Sequence, residues 1–168
     1  EEPVRHLPRI AAAALTLGLT AAAVAPANAS GPVLFTEATA QKPPADAVPI
    51  VGDFNNYGVD DIFWYGAGAK LDRLWYGQAS GTFVGKSISV GGNFEPLTGD
   101  FDGDGNLDIF WYGPGTRPDA LWLGNGDGTF KARSVSINGT YRPLVSDFDG
   151  DGCTDIIWYG TGAAPDGY

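Results

Sequence analysis

The chain has 168 residues and a formal net charge of −10, with 25 glycines, one histidine and one cysteine. So acidic a chain is a poor ligand for nucleic acid or an anionic membrane surface, and no phosphate-cradling loop, nucleotide fingerprint or basic stripe offsets that charge. The lone His6 and lone Cys153 exclude an internal disulfide. Once the N-terminal segment is removed, they also exclude a Ser-His-Asp triad, a Cys-His pair and an imidazole-built zinc site.

That segment comes first in the chain. Arg5, His6 and Arg9 make a basic start, Ile10 to Ala25 is apolar without a charge, and Ala27-Asn28-Ala29 has the small-x-small pattern of a signal-peptidase site. A membrane-spanning helix is the competing reading, but the run is Ala-rich and shorter than the ~20 residues a span needs. Residues 1–29 are therefore expected to be a cleaved signal peptide, which places the mature protein outside the cell with no remaining membrane span. Residues 30–46 lack alternation, contain Pro43-Pro44, and read as a flexible leader.

From residue 47 the sequence repeats with a period of 47. Asp53-Phe54 matches Asp100-Phe101 and Asp147-Phe148, Pro49 matches Pro96 and Pro143, and Leu74-Trp75 matches Leu121-Trp122. The repeats divide as 47–93, 94–140 and a partial 141–168. In the middle copy β-prone runs are expected near Pro96 to Phe101, Leu107 to Tyr112, Ala120 to Leu123 and Phe130 to Ile137, joined by Gly- and Asp-rich turns. Ile109-Phe110-Trp111-Tyr112 is apolar on both faces of a strand, so both faces must be covered. Four-stranded sheets stacked on one another satisfy this, and the period with its strand count is that of a propeller blade. The fold class expected is all-β, a partial β-propeller of two complete blades and a truncated third. Trp64, Trp111 and Trp158 are then core between blades rather than ligand-stacking residues.

The loops after the first strand of each copy carry the chemistry. Asp100, Asp102, Asp104 and Asp108 occupy loop positions 1, 3, 5 and 9, with Gly105 at 6 and Asn106 at 7. Calcium takes six to eight oxygens, and a glycine at 6 allows the bend that brings in the carbonyl of position 7. Asp147, Asp149, Asp151 and Asp155 repeat the set, with Cys153 at position 7 contributing only its carbonyl. Asp53, Asn55 and Asp61 form a degraded copy in which Tyr57 replaces the carboxylate of position 5, so a weak or empty site is expected there. The bland alternative is a set of Asp/Gly turns closed by Asx hydrogen bonds with no metal. General acid or base work suits chelated carboxylates poorly.

GDFNNYGVDDI, GDFDGDGNLDI and SDFDGDGCTDI, with the turn Gly124 to Phe130, resemble the FG-GAP or VCBS repeat. That family includes the calcium-binding propeller repeats of integrin α subunits, some fungal lectins and many secreted bacterial proteins. The resemblance covers residues 47–168 and implies that the two full sets of aspartates bind Ca2+. Family propellers have about seven blades, and a half blade leaves an unpaired edge, which predicts that the natural protein continues beyond Tyr168. Three functions compete: a binding or adhesion module for an extracellular glycan or protein, an accessory region of a secreted enzyme such as a hydrolase whose catalytic part lies elsewhere, and a lectin using Trp75, Trp122 or Tyr141.

Overall fold

The structure is a computed structural model that describes residues 42–160 and Gly167. The expected signal peptide (1–29) and most of the expected leader (30–46) lie outside the described residues. Ten strands and no helix make up the described chain, so no helix there is long and apolar enough to cross a membrane. The first sheet is an antiparallel meander of β1 (Val48–Gly52), β2 (Asp61–Tyr65), β3 (Asp72–Gly77) and β4 (Phe83–Ile88). The second repeats it with β5 (Glu95–Gly99), β6 (Asp108–Tyr112), β7 (Asp119–Gly124) and β8 (Phe130–Val135). In the third, β9 (Tyr141–Ser146) pairs with β10 (Asp155–Gly160).

Register follows the sequence period. Pro49 faces Trp64, Pro96 faces Trp111 and Pro143 faces Trp158, each proline lying on an edge strand, where a missing N–H is tolerated. The strands of the middle copy fall where their β-prone runs lie, with three shorter ends, of which β6 begins only one residue late, at Asp108. β5 stops at Gly99 because Asp100 already turns its carboxylate to the loop amides. β8 stops at Val135 because the Ile137 N–H donates to Asp119 instead of to the ladder.

Alternation then sends the side chains of β6 to two different cores. Ile109 and Trp111 face the first sheet, where they pack with Ile50, Phe54, Phe63, Tyr65 and Leu74. Phe110 and Tyr112 face the third sheet and pack with Trp158 and Leu97. All five residues of β6 are buried, as a strand between two sheets requires. Trp111 and Trp158 are thus core between sheets, as their sequence context implies. Trp64 departs from that expectation: it is half-buried and packs edge-on against Trp75, because it lies on the face of the first sheet that no other sheet covers among the described residues.

Two tyrosines fasten consecutive sheets. The Tyr65 hydroxyl donates to the Gly92 carbonyl (2.9 Å) and accepts the Phe94 N–H (2.8 Å), fixing the chain just before β5. Tyr112 repeats this with the Gly139 carbonyl and the Tyr141 N–H, just before β9. Burial raises the pKa of both hydroxyls, which remain protonated and able to donate.

Phe63 is fully buried and its ring touches Phe54, Trp111, Trp122 and Phe130, joining both sheets. Phe63→Ala is expected to cost about 3–5 kcal/mol of stability, read as a lower urea midpoint at unchanged m-value.

Candidate metal loops

The three loops between the first and second strands of each sheet are held by Asx hydrogen bonds. In the second, Asp100 accepts the Gly103 (2.8 Å) and Asp104 (3.1 Å) N–H groups at Oδ1 and the Gly105 N–H (2.8 Å) at Oδ2. In the third, Asp147 accepts the N–H groups of Gly150 (2.7 Å) and Gly152 (3.1 Å). The glycine at position 6 has a positive φ in every copy, 76° at Gly58, 83° at Gly105 and 92° at Gly152. A side chain there would be strained.

Position 9 has a different function from position 1. Asp108 is fully buried, and its two oxygens accept the Phe101 N–H (2.8 Å) and the Gly124 N–H (2.8 Å), joining the loop start to the end of β7. Asp61 does the same for Phe54 (3.0 Å) and Gly77 (2.9 Å). Burial raises the pKa of both carboxyls, against the pull of those backbone donors and with help from neighbouring aspartates. Asp155 accepts the Phe148 N–H (2.9 Å).

Oxygen atoms of Asp100, Asp102 and Asp108 lie within 4.8 Å of one another, as do those of Asp147, Asp149 and Asp151. Asp104 stands outside its cluster, its two oxygens accepting the backbone and side-chain N–H groups of Asn106 (2.8 Å each). Asp155 stands outside the other. In the first loop Asp53 closes the turn onto Tyr57 and Gly58, while the Asn55 amide donates to Asp61 (3.4 Å). Cys153 donates its N–H to Asp151. Partial burial and the Asp151 carboxylate push its thiol upward, which disfavours the thiolate a metal would select.

The loops are also tied to each other. Thr154 donates its N–H to the Asp100 carbonyl (2.6 Å), and its hydroxyl accepts the Asp100 N–H (3.0 Å). The Asn56 amide donates to the Asn106 side chain (2.6 Å). A Cβ on Gly99 would collide with the Thr154 side chain, and one on Gly52 with Leu107, so bare glycines let each loop rest on the next.

A calcium ion holds its ligands at 2.3–2.6 Å, so ligating oxygens lie up to about 5 Å apart. The two carboxylate clusters fit that spacing, and an all-oxygen donor set suits a hard cation. The side chains considered for sugar stacking are elsewhere: Trp75 is buried against Trp64 and Phe83, Trp122 packs in the core between sheets, and Tyr141 lies on Trp158.

A second pair of buried carboxylates, to which no sequence motif points, ties the turns together. Asp119 accepts the Gly113 N–H (2.7 Å) and the Ile137 N–H (2.6 Å), and Asp72 accepts those of Gly66 (2.7 Å) and Val90 (2.8 Å). Their signal was available in the repeat, which places an aspartate at the start of the third strand in both full copies.

Residues 100–158 match the family model described as an FG-GAP-like repeat. No curated protein matches the chain.

Asp119→Ala leaves two inward-facing N–H groups without acceptors and is expected to lower stability by about 2–6 kcal/mol in EDTA, at about 1–3 kcal/mol per orphaned group. Asp102 is exposed and accepts no hydrogen bond among the described residues, so Asp102→Ala should change chemical denaturation in EDTA by less than about 0.5 kcal/mol. The folded-state pKa of Asp61 lies above its ordinary 3.8, so its contribution is fully present below that value and lost as pH rises through the raised one. Urea titrations in EDTA should show the wild type losing stability relative to Asp61→Asn over that window, and a constant difference would contradict the assignment.

Proposed function

With residues 100–158 an FG-GAP-like repeat, we propose that the chain is an exported, calcium-stabilised β-propeller module without catalysis of its own, serving to bind an extracellular glycan or protein. The observation that carries the calcium part is the recurrence of three clustered carboxylates in two consecutive loops at one end of the array. Close carboxylates repel one another, and a divalent cation turns that repulsion into a cross-link between loop and sheet. Asp100, Asp102 and Asp108 would hold one ion, and Asp147, Asp149 and Asp151 the other. Asp104 and Asp155, with the carbonyls of Asn106 and Cys153, would complete the sets.

Calcium is thereby a structural part of the scaffold. The loops that it stiffens rest on one another through Thr154 and Asn56, so fixing one loop restrains its neighbour. A rigid row of loops on a stacked β-scaffold is suited to recognition, since binding to it costs little ordering entropy. Export supports the calcium reading, because extracellular calcium fills sites of modest affinity, on the order of 10⁻⁴–10⁻³ M.

Calorimetry of an EDTA-stripped sample should show calcium binding in that range, with a rise in Tm. Asp102→Ala and Asp149→Ala should each remove one site, Asp104→Ala should weaken one, and Tyr57→Ala should change neither. Absence of both heat and Tm rise would sink the calcium reading. The recognition reading is tested separately on a glycan array and an extracellular-protein panel, where silence with calcium present counts against it.

A further inference from the structure

Seven Asn-Gly or Asp-Gly bonds lie among the described residues. At such a bond the backbone nitrogen of the glycine can attack the side-chain carbonyl carbon of the residue before it, an intramolecular step that an unhindered glycine allows. The step removes the glycine amide proton, the same event that limits base-catalysed amide exchange. An N–H held in a hydrogen bond therefore reacts only when the structure opens locally.

Six of the seven glycine N–H groups are held. In the metal loops Gly103 and Gly105 donate to Asp100 (2.8 Å each), and Gly150 and Gly152 donate to Asp147 (2.7 and 3.1 Å). Gly128 donates to the Phe54 carbonyl and Gly139 to the Gly115 carbonyl, both at 2.9 Å. Gly126 is the exception, its N–H donating no hydrogen bond among the described residues. It follows Asn125, an exposed residue in the turn between β7 and β8, whose neutral amide is a better electrophile than an ionised aspartate. The Asn125 side chain makes one hydrogen bond, from Nδ2 to the exposed Thr129 hydroxyl (2.9 Å).

We propose that Asn125 is a modification site at which the folded chain itself converts asparagine to aspartate and isoaspartate, while Asn138, with the same following glycine, is spared. The Gly126 nitrogen gives its proton to solvent base and bonds to Asn125 Cγ. The Cγ–Nδ2 bond breaks, and Nδ2 takes up a proton and leaves as ammonia. Water then opens the cyclic imide at either of its two carbonyl carbons. Opening at Cγ gives aspartate, and opening at the main-chain carbon gives isoaspartate, in which the backbone runs through the side chain. Water is consumed, ammonia is released, and nothing is oxidised or reduced.

The place of this bond in the fold gives the change a consequence. The Gly126 α-carbon rests on the Asn56 and Asn106 pair that ties the first loop to the second, so closely that a Cβ there would collide with both side chains. Isoaspartate lengthens the backbone by one carbon at that contact and adds a carboxylate beside it, which loosens the tie. The chemistry needs no metal.

Incubation of the full chain in EDTA at mildly alkaline pH, followed by peptide mapping with mass spectrometry, tests this. In the folded protein the Asn125 peptide is expected to gain the mass of deamidation at least about tenfold faster than the Asn138 peptide, and in urea that difference should largely vanish. Asn125→Gln should remove the fast reaction, because the larger ring closes slowly. The modified fraction, separated on anion exchange by its added negative charge, is expected to exchange amide hydrogens faster at residues 55–58 and 105–107. An Asn125 that stays intact in the folded chain, or an Asn138 that reacts as fast, would overturn the site. Unchanged exchange in the modified fraction would overturn the loosening of the loops.

Discussion

Each four-stranded sheet depends on a buried carboxylate that accepts backbone N–H groups from two separate segments. Asp108 holds the beginning of its loop to the last residue of β7, and Asp119 holds the turn after β6 to the chain leaving β8. Desolvating a carboxylate is costly, and two backbone donors aimed at its two oxygens offset much of that cost. The result is a fixed geometry at both ends of β6 and β7. That geometry aims Ile109 and Trp111 at one neighbouring sheet while Phe110 and Tyr112 face the other.

The packing follows from this. A strand apolar on both faces has no stable existence in a single exposed sheet, so each repeat needs another on either side. Tyr65 of β2 and Tyr112 of β6 set the path to the next sheet, each gripping a carbonyl and an amide at the start of it. Stacking, strand order and loop position are therefore decided together, and the loops all emerge at one end of the array. The acids of each loop are crowded because its own turn folds them together.

Much of this was legible in the sequence. The offset of 47 gave strand order and register, because Asp53, Asp100 and Asp147 recur with their prolines and tryptophans in step. Burial on both faces was readable from Ile109 to Tyr112, since alternation leaves no polar side. The loop aspartates were legible as a group, yet spacing alone could not tell Asp102, which faces solvent, from Asp108, which is enclosed. Nor could it show that Asp104 turns to Asn106, a choice made by side-chain torsions in a tight turn. The repeat aligns Asp72 with Asp119, but an isolated aspartate at a strand start carries no motif; only its enclosure gives it a role. Trp64 differs from Trp111 for a reason no local pattern contains, namely which sheet lies next to it.

The first loop keeps the turn of the other two although its acidic set is broken. Asp53 still closes onto Tyr57 and Gly58, and Asp61 still reaches Phe54 and Gly77. Backbone closure thus rests on positions 1, 6 and 9 and does not need the acidic residues of positions 3 and 5. A copy can therefore carry other residues at positions 3 and 5 without losing the turn, and at position 5 of the first loop the side chain of Tyr57 stands 83% exposed to solvent.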